Sequence, residues 1–232
     1  MDPQTLAPQI AGLAALEEPA RRALYCYVVN RHAEVGRDEA AQAVGVSRTL
    51  AGFHLDRLVE EGLLDTSFRR LSGRAGPGAG RPAKLYRRSD RQLEVALPER
   101  RYELAARMLA EAVELGGPPA TRALTAVARQ IGTELGAEAR ARAGKRAGRK
   151  RLLAGTVAAL AARGYEPEQA GDEIRLRNCP FHALAGRHRA LVCGMNLDLM
   201  KGAVGAVGCP GIVAVLDPQP GQCCVALKVG KR

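Results

Sequence analysis

Tryptophan is absent from this chain of 232 residues, which also has only 3 phenylalanines and 5 tyrosines. So few aromatic rings argue against the stacking surfaces on which many proteins bind single-stranded nucleic acid. Closely spaced cysteine pairs of the CxxC type, which usually build structural zinc sites, are also missing. Residues 1–15 lack the basic start and apolar run of a secretory signal, and no stretch has the length of a membrane span. We therefore expect a cytoplasmic protein with no membrane partner.

Positive charge is in excess and is unevenly distributed along the chain. The formal net charge is +11, from 35 Lys and Arg against 24 Asp and Glu. Residues 67–91 hold eight basic side chains and one acidic side chain, and residues 140–151 hold seven basic side chains and no acidic one. Clusters of this kind favour a polyanionic partner.

Apolar residues at helical spacing predict three helices near the N-terminus. The first extends from Glu17 to His32, and Asp38 is the expected N-cap of the second. Gly45 is placed to make a tight turn, after which Ser47 caps a third helix that extends from Arg48 to Glu61. This spacing is typical of a helix-turn-helix.

Short strands at Leu63–Leu64 and Leu85–Tyr86 enclose a Gly- and Pro-rich segment, which predicts a basic hairpin. Helices are expected at about 99–115, 119–142 and 150–163. Two shorter helices at His182–Val192 and Met195–Val207, with Cys193 between them, and short strands follow. The predicted fold is therefore mainly α with α+β parts. Its three segments are a winged helix-turn-helix DNA-binding domain at 13–92, a helical connector and dimerisation region at 99–163, and a small α+β cysteine-bearing sensor domain at 164–232.

A recognition helix presents a polar N-terminal face to base edges while its other face packs inward. The residues predicted to contact DNA are Ser47, Arg48, Thr49, Gly52, His54 and Arg57 of the third helix, and Arg74, Arg81 and Lys84 of the hairpin. The residues predicted to point inward are Leu50, Phe53, Leu55, Leu58 and Val59. Alternatively, the three helices form an ordinary core and the basic segment is a solvated linker.

Five of the six cysteines lie in the last quarter of the chain, at Cys179, Cys193, Cys209, Cys223 and Cys224. Apart from the adjacent last pair they are widely spaced, so the fold must bring them together from separate elements. An iron–sulfur cluster accepts such spacing because each iron is a separate corner, and thiolates are the soft ligands that it favours. Adjacent strand residues point to opposite faces, so only one of Cys223 and Cys224 is expected in the site. A cluster-free thiol sensor and simple core packing are the alternatives.

Several stretches resemble known bacterial regulators. Residues Gly45–Leu64 and Gly80–Tyr86 look like the winged-helix region of ArsR/MarR-like regulators, which many families share. Residues Asn178–His182, Leu191–Leu197 and Pro220–Val225 resemble the SufR-like branch, the iron–sulfur-responsive repressors of cluster-assembly operons, and their actinobacterial relatives. The resemblance covers nearly the whole chain from about residue 17, and its C-terminal part is the more specific.

The resemblance implies a homodimeric repressor that binds a double-stranded DNA operator and responds to a [4Fe–4S] cluster. The implied ligands are Cys179, Cys193 and one of Cys223 and Cys224, with Cys209, His182 or His188 as the fourth. An alternative is a winged-helix regulator that senses thiol oxidation or a small ligand without a cluster. The chain shows no nucleophile–base pairing, phosphate-binding glycine loop or HExxH motif, so we expect that it is not an enzyme.

Overall fold

The computed structural model describes residues 3–70, 82–93, 95, 102–171 and 173–229, without the side chains of residues 3–6 and 229. The structure is mainly helical, at 59%, with two small antiparallel sheets, which confirms the expected α+β character. The chain divides into two compact units, Met1–Arg100 and Arg101–Arg232.

The first unit combines four helices with a small sheet. Its elements are α1 (Pro3–Ala15), α2 (Pro19–Arg31), β1 (Val35–Gly36), α3 (Arg37–Val44), α4 (Arg48–Glu60), β2 (Leu64–Arg69) and β3 (Ala83–Arg88). The sheet is antiparallel in the order β1-β3-β2, with Leu64 opposite Arg88 and Arg69 opposite Ala83. The strands β2 and β3 are longer than predicted because their pairing extends over six residues in each strand.

Two local signals in the sequence of this unit are confirmed. Gly45 ends α3 in the left-handed conformation, with φ 75°, which glycine adopts without a steric penalty. The Ser47 hydroxyl caps α4 by accepting a hydrogen bond from the Leu50 amide at 3.2 Å. The predicted N-cap of α3 is wrong, because Gly36 holds that position. Asp38 lies instead in the first turn, where its negative charge interacts favourably with the positive end of the helix dipole.

The second unit packs long helices on a four-stranded antiparallel sheet. Its elements are α5 (Tyr102–Leu115), α6 (Gly117–Ala143), α7 (Arg149–Ala161), β4 (Pro167–Ala170), β5 (Glu173–Leu176), α8 (His182–Ala185), α9 (Arg189–Val207), β6 (Ile212–Leu216) and β7 (Val225–Val229). The strand order is β4-β5-β7-β6. Residues of α6, α7, α9 and the sheet share one buried cluster, so the predicted boundary at 163/164 falls inside a single core.

The helix α9 crosses α6 at very short distance. A Cβ atom added to Gly132 would lie 1.9 Å from the carbonyl oxygen of Leu199, and one added to Gly202 would lie 2.2 Å from that of Arg129. Glycine is therefore required on both helices for this approach. The predicted break between two helices near Gly194 is wrong, since α9 continues through that residue.

Within the described ranges, α9 is also the one helix that is long and apolar enough, by length and composition, to span a membrane. One of its faces is buried in the unit, through Val192, Asn196, Leu199, Met200, Ala203 and Val207. About 28% of this apolar stretch is buried, and length and composition alone are weak evidence for a membrane span.

Candidate functional site

Four of the C-terminal cysteines are brought together by the sheet and by α9. Cys179 lies in the loop that follows β5, and Cys223 lies just before β7. Because β5 and β7 are antiparallel neighbours, the end of one strand meets the start of the other. The Cys223 amide donates a hydrogen bond to the Leu176 carbonyl at 2.8 Å, which fixes this meeting point.

The four thiols form two hydrogen-bonded pairs. Cys179 pairs with Cys223, and Cys193, in the first turns of α9, pairs with Cys224. The two pairs also interact electrostatically, through Cys179 with Cys193 and through Cys223 with Cys224. We call these four residues the cysteine group.

Two predictions about the cysteines are corrected by this arrangement. Both Cys223 and Cys224 contact another cysteine, although only one of them was expected in the site. The reason is that β7 begins at Val225, so the two residues lie in a turn and do not alternate as strand residues would. Cys193 was expected between two helices and is instead part of α9.

Their surroundings shift the pKa values of Cys179, Cys193 and Cys223 in different directions. The hydrogen bond from Cys223 lowers the pKa of Cys179 to about 7, and the same bond raises the pKa of Cys223. Burial, together with the hydrogen bond to Cys224, raises the pKa of Cys193 to about 11. Cys179 is therefore the more acidic thiol of its pair, and Cys223 is the S–H donor.

Polar side chains from outside the cysteine group donate to its sulfurs. The amide nitrogen of Asn196 lies 3.2 Å from the Cys223 sulfur, and the Tyr165 hydroxyl lies 2.8 Å from the Asn196 amide oxygen. The Arg189 guanidinium lies 3.8 Å from the Cys224 sulfur. Sequence reasoning gave none of these three residues a role. The only available signal was an asparagine on the apolar side of a helix.

The remaining candidates for a fourth ligand lie in different surroundings. Cys209 is buried and lines a small apolar space in the core together with residues such as Ile174, Ile212 and Leu227. His182 is exposed. His188 is buried, with Nδ1 at 3.0 Å from the Glu114 carboxylate. With four cysteines already in one group, none of these residues is needed to complete a set of four.

The cysteine group has the composition that an iron–sulfur cluster requires, namely four thiol sulfurs and hydrogen-bond donors directed at them. No three His, Cys, Asp or Glu side chains in the described part of the chain are close enough to hold a single metal ion. A single ion needs all its ligands around one point, whereas a cluster takes each cysteine at a separate corner.

In the first unit, the exposed face of α4 differs from the predicted one. Leu50 and Phe53 are 41% and 64% exposed, so their predicted inward positions are wrong. Gly52 and His54 are buried, which removes them from any surface that could contact DNA. The Arg37 side chain covers Gly52, and the His54 ring is held between Arg21, at 3.3 Å, and Glu18, at 3.4 Å.

The described basic residues that were predicted to contact DNA form ion pairs with acidic side chains. Arg48 lies 2.7 Å from Asp38, and both side chains are exposed, so this ion pair contributes only about 0–1 kcal/mol and Arg48 can be released at low cost. Arg57 bridges to Glu60 and Glu61. Lys84 lies 2.7 Å from Asp56 and 5.4 Å from the centroid of the Tyr86 ring. Arg74 and Arg81 lie outside the described residues.

Charge is not concentrated in the unit that carries α4. Residues 1–100 contain fifteen Lys and Arg and thirteen Asp and Glu, a net of +2, whereas residues 101–232 contain twenty and eleven, a net of +9. The basic hairpin is partly neutralised as well, since Arg69 pairs with Glu34 and Arg87 with Asp65. The hairpin charge is therefore weaker support for DNA binding than the sequence suggested.

Comparison with protein-family models, with curated proteins and with solved structures gives no match. No family is therefore shown for this chain, and the SufR-like resemblance stays a prediction.

Proposed function

We propose that this protein is a cytoplasmic, homodimeric DNA-binding transcriptional repressor whose operator binding responds to a [4Fe–4S] cluster. The observation that carries the proposal is the cysteine group. Three chain segments contribute four thiols to one place, where Asn196 and Arg189 donate hydrogen bonds to sulfur. Such donors stabilise negatively charged sulfur, which is the form that binds iron.

The arrangement of the first unit supports a winged helix-turn-helix. Helices α3 and α4 are joined by a turn at Gly45, and the antiparallel hairpin β2–β3 follows α4 directly. The face of α4 that is free to enter a major groove carries Ser47, Arg48, Thr49, Leu50 and Phe53. We therefore assign base contacts to this face and remove Gly52 and His54 from the predicted set.

The cysteines differ in how easily they become thiolates, the form that binds iron. The pKa of Cys179 is lowered to about 7, so this thiol ionises near neutral pH, whereas the raised pKa values of Cys193 and Cys223 mean that these two must be deprotonated on binding. A bound cluster would supply an oxidant-sensitive link between the loop after β5, the start of α9 and the start of β7. Loss of that link would change the ordering of these three segments.

A thiol-oxidation sensor is the second candidate, and one contact favours it. The Cys179 thiolate is in hydrogen-bond contact with Cys223. A peroxide would oxidise the Cys179 sulfur to a sulfenic acid and release hydroxide. The Cys223 thiolate, formed when its thiol loses a proton, would then attack that sulfur and form a disulfide, and hydroxide would leave and take up the proton as water. This chemistry needs the same two residues but no iron.

The test is purification without oxygen, followed by a visible spectrum and by counts of iron and sulfide per chain. We expect a brown wild-type protein whose colour is lost in Cys193→Ser. The matched control is Cys26→Ser, which removes an exposed cysteine of the first unit and should keep the colour. Cys209→Ser should keep it too, because Cys209 lies in the apolar core.

The same preparations then serve for operator titrations at fixed salt, with a duplex selected from a random pool. Removal of the cluster should change affinity by about 1–3 kcal/mol, the usual range of coupling between sites. A colourless wild-type protein that holds zinc would contradict the cluster. A colourless protein that forms the Cys179–Cys223 disulfide with peroxide would favour the thiol sensor.

A further inference from the structure

Two polar side chains lie deep in the apolar core of the second unit and end in contact with a sulfur atom. Tyr165 and Asn196 are each only 2% exposed. Burying a hydroxyl and an amide is costly unless both are hydrogen-bonded. Their only partners among the hydrogen bonds of the described chain are each other and Cys223. The arrangement therefore directs these polar groups to one particular thiol.

The hydrogen bond between Tyr165 and Asn196 fixes the direction of the hydrogen bond between Asn196 and Cys223. Burial raises the pKa of Tyr165, so its hydroxyl keeps its proton at neutral pH and can donate it. The hydroxyl donates to the Asn196 amide oxygen, which leaves the amide nitrogen facing the Cys223 sulfur at 3.2 Å. An amide N–H can only donate, so the sulfur must accept.

A neutral thiol is a weak acceptor, whereas a thiolate or a metal-bound sulfur is a strong one. The amide therefore gains most when the Cys223 sulfur carries negative charge. Another buried polar side chain of the same core shows the contrast. The Thr156 hydroxyl donates to the Leu152 carbonyl of its own helix and is directed at no sulfur.

We propose that Asn196, held in place by Tyr165, is a positioning residue that stabilises negative charge on the Cys223 sulfur and so raises the reduction potential of the cluster. This inference rests on the proposed function. Hydrogen bonds to cluster sulfurs favour the reduced state because that state carries more negative charge. The contact also makes Cys223 the cysteine of its adjacent pair whose sulfur receives an amide donor.

The experiment compares the reduction potential of the protein with its cluster in four forms, which are wild type, Asn196→Leu, Tyr165→Phe and Thr156→Val. Asn196→Leu keeps the number and branching of the side-chain heavy atoms and removes the donor. We expect it to shift the equilibrium toward the oxidised cluster by about tenfold, which is about 59 mV for one electron. Tyr165→Phe should shift the potential in the same direction but less, because the amide is then free to rotate.

Thr156→Val is the matched control and should leave the potential unchanged. Resonance Raman spectra give a second readout, since loss of the hydrogen bond should shift an iron–thiolate stretching band in Asn196→Leu and Tyr165→Phe only. Potentials equal to wild type in both of these variants would overturn the inference while leaving the cluster in place. If Asn196→Leu does not fold, Tyr165→Phe alone decides. A wild-type protein that takes up no cluster would overturn the proposed function and this inference with it.

Discussion

The close crossing of α6 and α9 can be tested by adding one methyl group. Gly132→Ala would place a Cβ atom 1.9 Å from the Leu199 carbonyl oxygen and 3.0 Å from the Ala203 amide nitrogen. Both neighbours are backbone atoms, so no side chain can rotate away to make room. The whole of α9 would have to move by more than 1 Å to restore a contact of at least 3.0 Å.

The expected magnitude follows from two opposing effects. Alanine in place of glycine favours a helix by about 1 kcal/mol. Overpacking a well-packed contact costs about 1–3 kcal/mol, and a clash with backbone belongs at the upper end of that range. We therefore expect Gly132→Ala to lower the local free energy of unfolding by about 2 kcal/mol.

Native-state hydrogen exchange of the α9 amides is the suitable measurement, because a chain with two compact units need not unfold in one step. A loss of 2 kcal/mol should speed exchange about thirtyfold. The control is Gly205→Ala in the same helix, where an added Cβ atom meets nothing within 4 Å. That variant should slow exchange slightly. Equal exchange rates in both variants would show that the two helices do not approach so closely in solution.

Two further predictions concern the candidate sites. Phe53→Ala should weaken binding to a selected operator. Replacing the contacted thymines by deoxyuridine should weaken operator binding by wild type by about 0.8 kcal/mol per methyl group, but should not weaken binding by Phe53→Ala any further. If the losses from the protein change and the DNA change simply add, Phe53 touches no thymine methyl. In cluster-free protein, iodoacetamide labelling of Cys179 should rise as pH increases through about 7, because a lowered pKa gives the reactive thiolate above that pH. Cys223→Ala should move this midpoint upward, and an unchanged midpoint would contradict the Cys179–Cys223 hydrogen bond.

The sequence predicts the helices of the first unit better than it predicts their orientation. Gly45 and Ser47 mark the end of α3 and the start of α4 through local backbone preferences, which require no knowledge of the rest of the fold. Which face of α4 is buried depends on other elements. The side chains of Arg37 and Arg21 cover Gly52 and His54, and neither contact has a signal in the local sequence.

The cysteine group also depends on contacts that the local sequence does not predict. Clustering in the sequence singled out the cysteines, but their pairing depends on strand order. Cys179 meets Cys223 because β7 lies beside β5 in the sheet, although the strand sequences contain no rule that places it there. The same topology leaves Cys209 in the apolar core. Tyr165 and Asn196 are thirty-one positions apart, so their contact could not be predicted from spacing.

The start of α9 connects the cysteine group to α5, and this connection bears on how a regulator of the proposed kind would transmit its signal. Arg189 contacts the Cys224 sulfur, and the preceding residue, His188, contacts Glu114 in the last turn of α5. The His188 ring is buried, so a movement of the first turn of α9 must displace either the ring or Glu114. The helix α5 begins at Tyr102, close to the start of the second unit. Coupling of this kind requires that α5 take different positions with and without the cluster, and the contact between His188 and Glu114 is where that difference would begin.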